Sequence, residues 1–462
     1  MDHLDVALEK MRADGVADVA VKTFAQYYER LREGEEGVLP ESEIEPVGEL
    51  PDADELPDDE EGAREALAQA VVVKLNGGLG TSMGMTAPKS LLEVKDGLTF
   101  LDITVRQILA LRERTGAALP LVLMNSFATR DASLEALEQY EDLAVEGVAA
   151  DFVQSKVPKL REEDLAPVEW PDDPDLEWAP PGHGDLYPSL QSSGMLDALL
   201  DGGYRYAFVA NVDNLGAVMS PRILAWLARE QVPFLMEVAD RTAADRKGGH
   251  LAQRRDGGLV LREIAQTPDE DAEAFQDISR HRFFNTNTLW IDLRALADVL
   301  GERDGVLGLP MIVNRKTVDP SDSDSTPVIQ LETAMGAAID VFDGARAIRV
   351  PRERFAPVKT TNDLLALRSD AYVLRDDGAV ALAPERDEDG APLVELDDRF
   401  FKLVRDFEER FPAGPPSLVG AQKLSVQGDV TFGADVVVRG TVAIEHDGDG
   451  QKRIENGTVL EG

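Results

Sequence analysis

The 462 residues include no cysteine. Disulfides, thiolate nucleophiles and cysteine-held zinc are therefore excluded. Positive charge is scarce: 47 Lys and Arg stand against 87 Asp and Glu, a net charge of −40. General nucleic-acid binders and anionic-membrane binders need an extended basic surface, and this composition cannot supply one. Any phosphate the protein holds must sit in a small positive pocket within a repulsive field. No apolar run approaches the roughly 20 residues of a membrane span, and the N-terminus lacks a basic-then-apolar signal. The expectation is a soluble cytoplasmic protein, and the acidity also fits a salty cytoplasm. Hydrophobic residues make up 43% of the chain, which is enough for a folded protein whose length suggests about three units.

Residues 1–32 carry helical periodicity, with Leu4, Leu8 and Met11, then Phe24, Tyr28 and Leu31, at three- and four-residue spacing. Gly15 should divide them into two helices. Between Glu33 and Glu65 there are 15 acidic residues and one basic residue, Arg64, punctuated by Pro40, Pro46, Pro51 and Pro57. This predicts an extended, poorly ordered connector without a core of its own. At Val71 the character changes. Val71–Leu75, Pro120–Met124, Tyr206–Asn211, Pro233–Val238 and Leu289–Leu293 are apolar runs, with helix-like stretches such as Leu101–Arg114 and Ser220–Glu230 between several of them. Alternation of this kind predicts βα units in a mostly parallel, doubly wound sheet, whose ligands bind beyond the carboxyl ends of the strands. The C-terminus changes period again. Leu424, Val430, Val436 and Val442 are spaced by six, as are Val426, Phe432, Val438 and Ile444, with a small-residue series at Gly428, Ala434 and Gly440. This period fits the coil of a parallel β-helix, and its even offsets also allow antiparallel strands. The expected units are 1–70, 71–380 and 381–462.

The sharpest feature follows the first apolar run: Leu75-Asn76-Gly77-Gly78-Leu79-Gly80-Thr81-Ser82-Met83-Gly84, then Pro88-Lys89-Ser90. Glycines let the backbone curl so that several N–H groups face one anion, and Lys89 adds a full charge. A P-loop needs glycine directly before the lysine, where Pro88 stands. The dinucleotide fingerprint needs G-x-G-x-x-G, whereas Gly78, Gly80 and Gly84 are spaced G-x-G-x-x-x-G. A phosphate loop of another lineage remains, beside the plainer reading of a tight turn with a solvated lysine.

Other polar groups cluster near strand ends. Asn211, Asp213 and Asn214 follow the run Tyr206–Val209. A carboxylate there suits Mg²⁺, which keeps its waters and bridges phosphate oxygens, although the same residues also cap turns. Gly182 and Gly184 flank His183 and would let it approach a ligand, or would only form a surface turn. Asn285 and Asn287 place two amides before a strand, a pairing that suits sugar hydroxyls and turns alike. Glu332 stands before the small-residue stretch Ala334–Ile339, suited to a hydroxyl or to a helix start. Lys359, between Pro357-Val358 and Thr360-Thr361, is a second isolated lysine in a chain biased to arginine.

In order, KLNGGLGTSMG and PKS (74–90), MNSF (124–127), QSK (154–156), PPGHGD (180–185), NVDNLGA (211–217), KGG (247–249), EIAQTP (263–268), FNTNTLW (284–290), VIQLETAMGAAI (328–339) and VPRERFAPVKTTNDLL (350–365) resemble the eukaryotic-type UTP–glucose-1-phosphate uridylyltransferase (UDP-glucose pyrophosphorylase) family across nearly the whole chain. The resemblance implies an α/β fold. Its core would be a Rossmann-like nucleotidyltransferase domain with a mixed, mostly parallel sheet, followed by a C-terminal left-handed parallel β-helix. It also implies roles. Leu75, Asn76, Gly77 and Gly78 would bind the nucleotide, with Gln154 and Gly182 reading the uracil. Lys89 and Lys359 would hold the triphosphate. His183 and Asn211 would contact the substrates, Asp213 would be the Mg²⁺ ligand, and Asn287, with Gly249 and Glu263, would meet the sugar. Thr288 replaces the second Asn of the family's pair and is not a candidate. Ala87 and Met85 also depart from the usual residues.

The implied reaction joins UTP and glucose 1-phosphate into UDP-glucose and pyrophosphate. The sugar phosphate brings its own nucleophilic oxygen, so neither the missing cysteine nor the lack of a Ser-His-Asp pattern is an obstacle. The rival readings are a uridylyltransferase for an N-acetylated sugar phosphate, a non-catalytic nucleotide-sugar sensor, and a scaffold assembled through the β-helix. The β-helix is expected as a structural cap or as a surface for homo-oligomers.

Overall fold

The computed structural model describes residues 2–35, 37–242, 245–320, 322–386 and 390–462; Glu36 of the acidic stretch lies outside them. At its centre is the strand Ala70–Asn76, buried on both faces. Tyr206–Asn211 pairs with it in parallel on one side and Leu121–Asn125 on the other, and Asp151–Val153 extends the parallel half. Asn211 lies opposite Leu75, Asn76 opposite Asn125, and Asn125 opposite Val153. Four strands thus end level, and the loops beginning at residues 77, 126, 154 and 212 leave from one edge of the sheet. The period-two alternation of side chains makes two cores. Val71, Val73, Val122 and Met124 pack with Leu190, Leu196, Leu293 and Leu296 on one face. Val72, Leu121, Leu123 and Phe208 pack with the helices Phe100–Thr115 and Pro221–Glu230 on the other.

The other half of the sheet departs from a simple doubly wound pattern. Phe283–Asp292 runs antiparallel between Tyr206–Asn211 and Phe234–Asp240. Arg346–Arg349 returns parallel to Phe234–Asp240. The strand predicted at Leu289 begins six residues earlier, so Asn285 and Asn287 lie inside it rather than before it. A bulge absorbs them: the register passes from Glu237 opposite Thr288 to Val238 opposite Asn285. The extra residues interrupt the alternation by which a strand is recognised.

Helices His3–Ala13 and Asp18–Arg32 lie on either side of Gly15, as the periodicity predicts. They seat Met11, Phe24 and Tyr28 against Leu331, Ile329 and Met311. The acidic connector, in contrast, is ordered. Ile44–Pro46 joins the sheet edge as a strand, antiparallel to His250–Arg254. Leu39 and Ile44 are buried with Ala252 and Val260, and Glu60–Leu67 is a helix whose N-terminus is capped by Asp59. Its carboxylates are held by arginines from the sheet. Glu41 accepts from Arg262 at 2.5 Å, Arg280 at 2.7 Å and His281 at 3.0 Å. Asp52 pairs with Arg349 and Asp58 with Arg222. The composition rule failed because the compensating charges come from more than 100 residues away.

The C-terminal strands pair in parallel, which excludes the antiparallel reading. Leu393–Leu396, Ser417–Gln427, Val437–Glu445 and Val459–Glu461 form one sheet, and Val430–Phe432 and Lys452–Ile454 form another. Leu424 lies opposite Val442 and Val426 opposite Ile444, three six-residue repeats along the chain. All four are buried. Among the described residues no helix is long and apolar enough to cross a membrane.

Glu41→Ala strips the fully buried Arg262 of its nearer carboxylate and is expected to cost about 3 kcal/mol in urea unfolding. Asp58→Ala removes an exposed partner and is expected to cost less than about 1 kcal/mol. Equal losses would contradict the anchoring role of Glu41.

Candidate active site

The glycine loop leaves the central strand and folds back on itself. Gly80 (φ +68°) and Gly84 (φ +73°) take left-handed conformations, and the Lys89 N–H donates to the Gly78 carbonyl at 3.0 Å. The return brings the Lys89 ammonium to 2.6 Å from Asp213 Oδ2. Two candidates far apart in sequence are thus in direct contact, both partly buried. Lys359 arrives from a third direction. Pro357 forms a β-bridge with Asn214, and the Val358 N–H donates to the Asp213 carbonyl at 3.4 Å. Lys359 itself is exposed, its ammonium 5.6 Å from the Phe355 ring centre.

On the far side of the glycine loop, a Cβ on Gly77 would lie 2.8 Å from the Gln154 side chain, so these two candidates also touch. The Asn76 side chain turns inward, donating to Asn125 at 2.7 Å and Ser133 at 2.8 Å. It therefore fixes the strand end, and its main chain is what faces the loop. Leu75 is half-buried, Gly78 is exposed, and Asn211 lies beside Leu75.

Gly182 (φ +79°) presses on the neighbouring strand Pro327–Thr333, where a Cβ would lie 2.5 Å from the Thr333 carbonyl oxygen. Here glycine serves backbone packing as well as conformation. His183 Nδ1 accepts the Met335 N–H at 3.0 Å. That bond fixes the tautomer: in the neutral ring the proton is on Nε2, leaving one outward donor. Burial holds its pKa down to about 4, so the ring is uncharged at neutral pH. The His183 side chain bonds none of the other candidates, and two residues on, Asp185 ties this loop to the segment that follows Gln154. Asp185 Oδ2 accepts the Ser155 N–H and the Ser189 hydroxyl, both at 2.6 Å, and burial pushes its pKa up to about 6.

Gly249, Glu263 and Asn287 form a separate group. A Cβ on Gly249 would lie 2.5 Å from both Glu263 carboxylate oxygens, and the Gly249 carbonyl accepts the Asn285 N–H at 3.0 Å. Asn287 sits at the bulge with φ +55°, a left-handed conformation that Asn tolerates better than most residues. Its amide oxygen accepts from Asn285 Nδ2 at 3.0 Å. Enclosure pushes the Glu263 carboxyl up from its ordinary value, and the Lys359 ammonium pulls it partly back. Thr288 is fully buried beneath the bulge, consistent with its place outside the set. Glu332 lies in the strand Pro327–Thr333, 3.7 Å from Lys316.

Three charged residues under the site were not singled out from sequence. Lys74, buried in the central strand, donates to the Ala217 carbonyl at 2.9 Å and so supports the loop that carries Asp213. Burial, aided by Arg354, lowers its pKa to about 7, against the opposing pull of Asp213 and Glu237. Fully buried Glu237 and partly buried Arg354 form a fork beside it. The one available signal was a charged residue within an apolar strand run, as at Lys74 and Glu237.

No group of three His, Asp or Glu side chains suited to a metal occurs among the described residues. The carboxylate of Asp213, already beside a cation, fits an ion that takes its remaining ligands from water and phosphate oxygens. The glycine loop, the Lys89–Asp213 pair and the backbone of the Lys359 segment meet at one edge of the sheet, an arrangement that fits phosphate chemistry.

A family model described as UTP--glucose-1-phosphate uridylyltransferase matches residues 21–439. The chain is 44% identical over 403 residues to the UTP--glucose-1-phosphate uridylyltransferase of Solanum tuberosum, covering 87% of this chain and 82% of that protein. The protein of the same name from Encephalitozoon cuniculi is 40% identical, over 100% of this chain and 90% of its own. Among solved structures, a point mutant of UDP-glucose pyrophosphorylase from Leishmania major in complex with UDP-glucose superposes with a TM-score of 0.93 at 44% identity, over 100% of this chain and 98% of that one. A UDP-glucose phosphorylase of Trypanosoma brucei gives 0.91 at 48% identity, over 99% and 98%.

The hydrogen bond to Met335 makes a spectroscopic prediction. In ¹⁵N NMR, His183 should remain the Nε2–H tautomer from pH 8 down to about 5, with no titration near 6.5. A midpoint near 6.5 would mean that Nδ1 is free. The linked stability effect has a definite sign. Between pH 6.5 and about 4 the unfolded chain takes up the proton that folded His183 refuses, so this residue makes the fold less stable as the pH falls through that window.

Proposed function

The chain belongs to the UTP–glucose-1-phosphate uridylyltransferase family, and from that premise we propose that it transfers the uridylyl group of UTP to glucose 1-phosphate, giving UDP-glucose and pyrophosphate. The observation that carries the reading is the convergence of Lys89, Asp213 and the Lys359 segment at the carboxyl ends of adjacent parallel strands. An oxygen of the sugar phosphate attacks the α-phosphorus of UTP. A new P–O bond forms, the bond to the β-phosphate oxygen breaks, and its electron pair leaves with pyrophosphate. The barrier is the approach of two anions in line and the charge that moves to the leaving group.

Each group has a place in that scheme. Gly77 and Gly78, beyond the last ladder pairs at Leu75 and Asn76, offer peptide N–H groups to the phosphates, Leu75 and Asn76 line the nucleotide site, and Gln154 and Gly182 read the uracil. Lys89 and Lys359 offset the charge around the α-phosphate. His183 donates from Nε2 to a phosphate oxygen, the role its fixed tautomer favours. Asn211 borders the same space. Gly249, Glu263 and Asn287 meet the sugar hydroxyls. Asp213 is the residue that would hold a divalent cation, which we assign as Mg²⁺; when bound, it supplies charge neutralisation to the phosphates. Until then Lys89 and Asp213 serve as counter-ions for each other.

We assign residues 71–380 to the catalytic unit, 1–70 to an N-terminal helical segment with its acidic strap, and 381–462 to a terminal unit. The six-residue repeat and its parallel register support a left-handed β-helix in that last unit. Self-association through its coils is testable by light scattering. The cytoplasm is the expected location.

The deciding assay measures pyrophosphate release from UTP with glucose 1-phosphate or N-acetylglucosamine 1-phosphate, with and without Mg²⁺. Release with glucose 1-phosphate, dependent on the metal, is expected. Intact UTP binding without turnover would favour a sensor. Lys89→Ala and Lys359→Ala should each lower kcat by roughly 100-fold or more in folded protein. Near-wild-type rates in either would remove that lysine from the mechanism.

A further inference from the structure

Glu237 is a fully buried carboxylate in the middle of Phe234–Asp240, among Leu235, Met236, Val238 and Ala239. Both of its oxygens are used. Oε1 accepts from Arg354 Nη2 at 2.7 Å and from the Trp290 indole at 2.9 Å, and Oε2 accepts from Arg354 Nε at 2.8 Å. A buried ion pair is rarely more stabilising than apolar packing, because each ion loses several kcal/mol of hydration. Stability is therefore a weak explanation for this one, and its connections suggest another.

The Arg354 carbonyl accepts from Asn214 Nδ2 at 3.1 Å, and Asn214 Oδ1 accepts the Ala356 N–H at 3.0 Å. Asn214 follows Asp213, and Lys359 stands five residues beyond Arg354. The fork fixes Arg354, Arg354 and Asn214 fix the segment 354–357, and that segment runs along the Asp213 main chain and carries Lys359. The Glu237 carbonyl also accepts the Thr286 hydroxyl at 2.7 Å, at the bulge that presents Asn287.

We propose that Glu237 and Arg354 are positioning residues for Lys359: a buried Glu–Arg fork that sets where the second ammonium meets the phosphates, without either residue touching substrate. The inference rests on the reading of Lys359 as a group that acts on the transferred phosphate. A displacement of about 1 Å at such a group is worth up to ~100-fold in rate. The loss should fall mainly on kcat and less on UTP binding, because Lys89 and the glycine-loop N–H groups make no direct bond to the fork.

The test is a double-mutant cycle in the full chain, with turnover of UTP and glucose 1-phosphate as the readout and thermal unfolding as the control. E237Q keeps the volume and the indole bond but gives up the charge. It is expected to lower kcat by roughly 10- to 100-fold, with KM for UTP within about threefold. In a K359A background the same substitution should change kcat by less than about threefold, because the group it positions is gone. A full E237Q loss recurring on top of K359A overturns the inference, as does unchanged kcat in E237Q alone. A silent K359A overturns the reading of Lys359 as well, so the two failures are told apart. If E237Q does not yield folded protein, R354K, which keeps the charge but loses the fork, runs the same cycle with the same outcomes.

Discussion

Two anionic reactants have to meet in a molecule whose own net charge is −40, and the contact on which the proposed site is built is the ion pair of Lys89 with Asp213. It is where the glycine loop closes, where the strand Tyr206–Asn211 delivers its carboxylate, and where the Lys359 segment is tied down. Parallel pairing fixes its position. Asn211 lies opposite Leu75, so the two loops that carry the pair leave the sheet at the same level. A shift of one strand by a single residue would turn the side chains to the other face and separate them. Cationic character is local here, produced by geometry and not by composition.

The acidity has structural uses elsewhere. The segment before the catalytic core is held by carboxylates that reach arginines on the sheet: Glu41 to Arg262 and Arg280, Asp52 to Arg349. Arg349 also binds Asp240, the last residue of the strand that contains Glu237. Burial opposes ionisation of Glu41, but Arg280, His281 and Arg262 hold its carboxyl below the usual range. Arginine suits these places because its planar fork can serve two acceptors at once.

Much of the sheet edge was legible in the sequence because its signals are local. The apolar runs at Val71 and Tyr206 and the glycine spacing each lie within one short window, and the structure has strands and a turn where they imply; the contact of Lys89 with Asp213 was not foreseen. The terminal repeat was legible too, as the pairing of Leu424 with Val442 shows. What escaped depends on partners distant in sequence. Glu237 in an apolar run gives no hint that Arg354 will reach it across 117 positions. The acidic stretch looked unfoldable because the arginines that pair with it lie far along the chain. Asn287 looked like a loop residue because a bulge erases the alternation of its strand. Gly182 was read for closeness to a ligand, whereas its crowding against Thr333 shows a backbone requirement as well.

The glycine loop also leans on the far end of the chain. A Cβ on Gly84 would come to 3.0 Å from Leu403 Cδ2, and Met83 is buried in the same apolar cluster as Phe401, Leu424 and Phe432. The floor beneath the glycine loop is thus partly built from residues of the terminal unit, far downstream in sequence. The loop is therefore braced where the terminal strands dock against it, and a sheet that has paired without them would present an unsupported mouth.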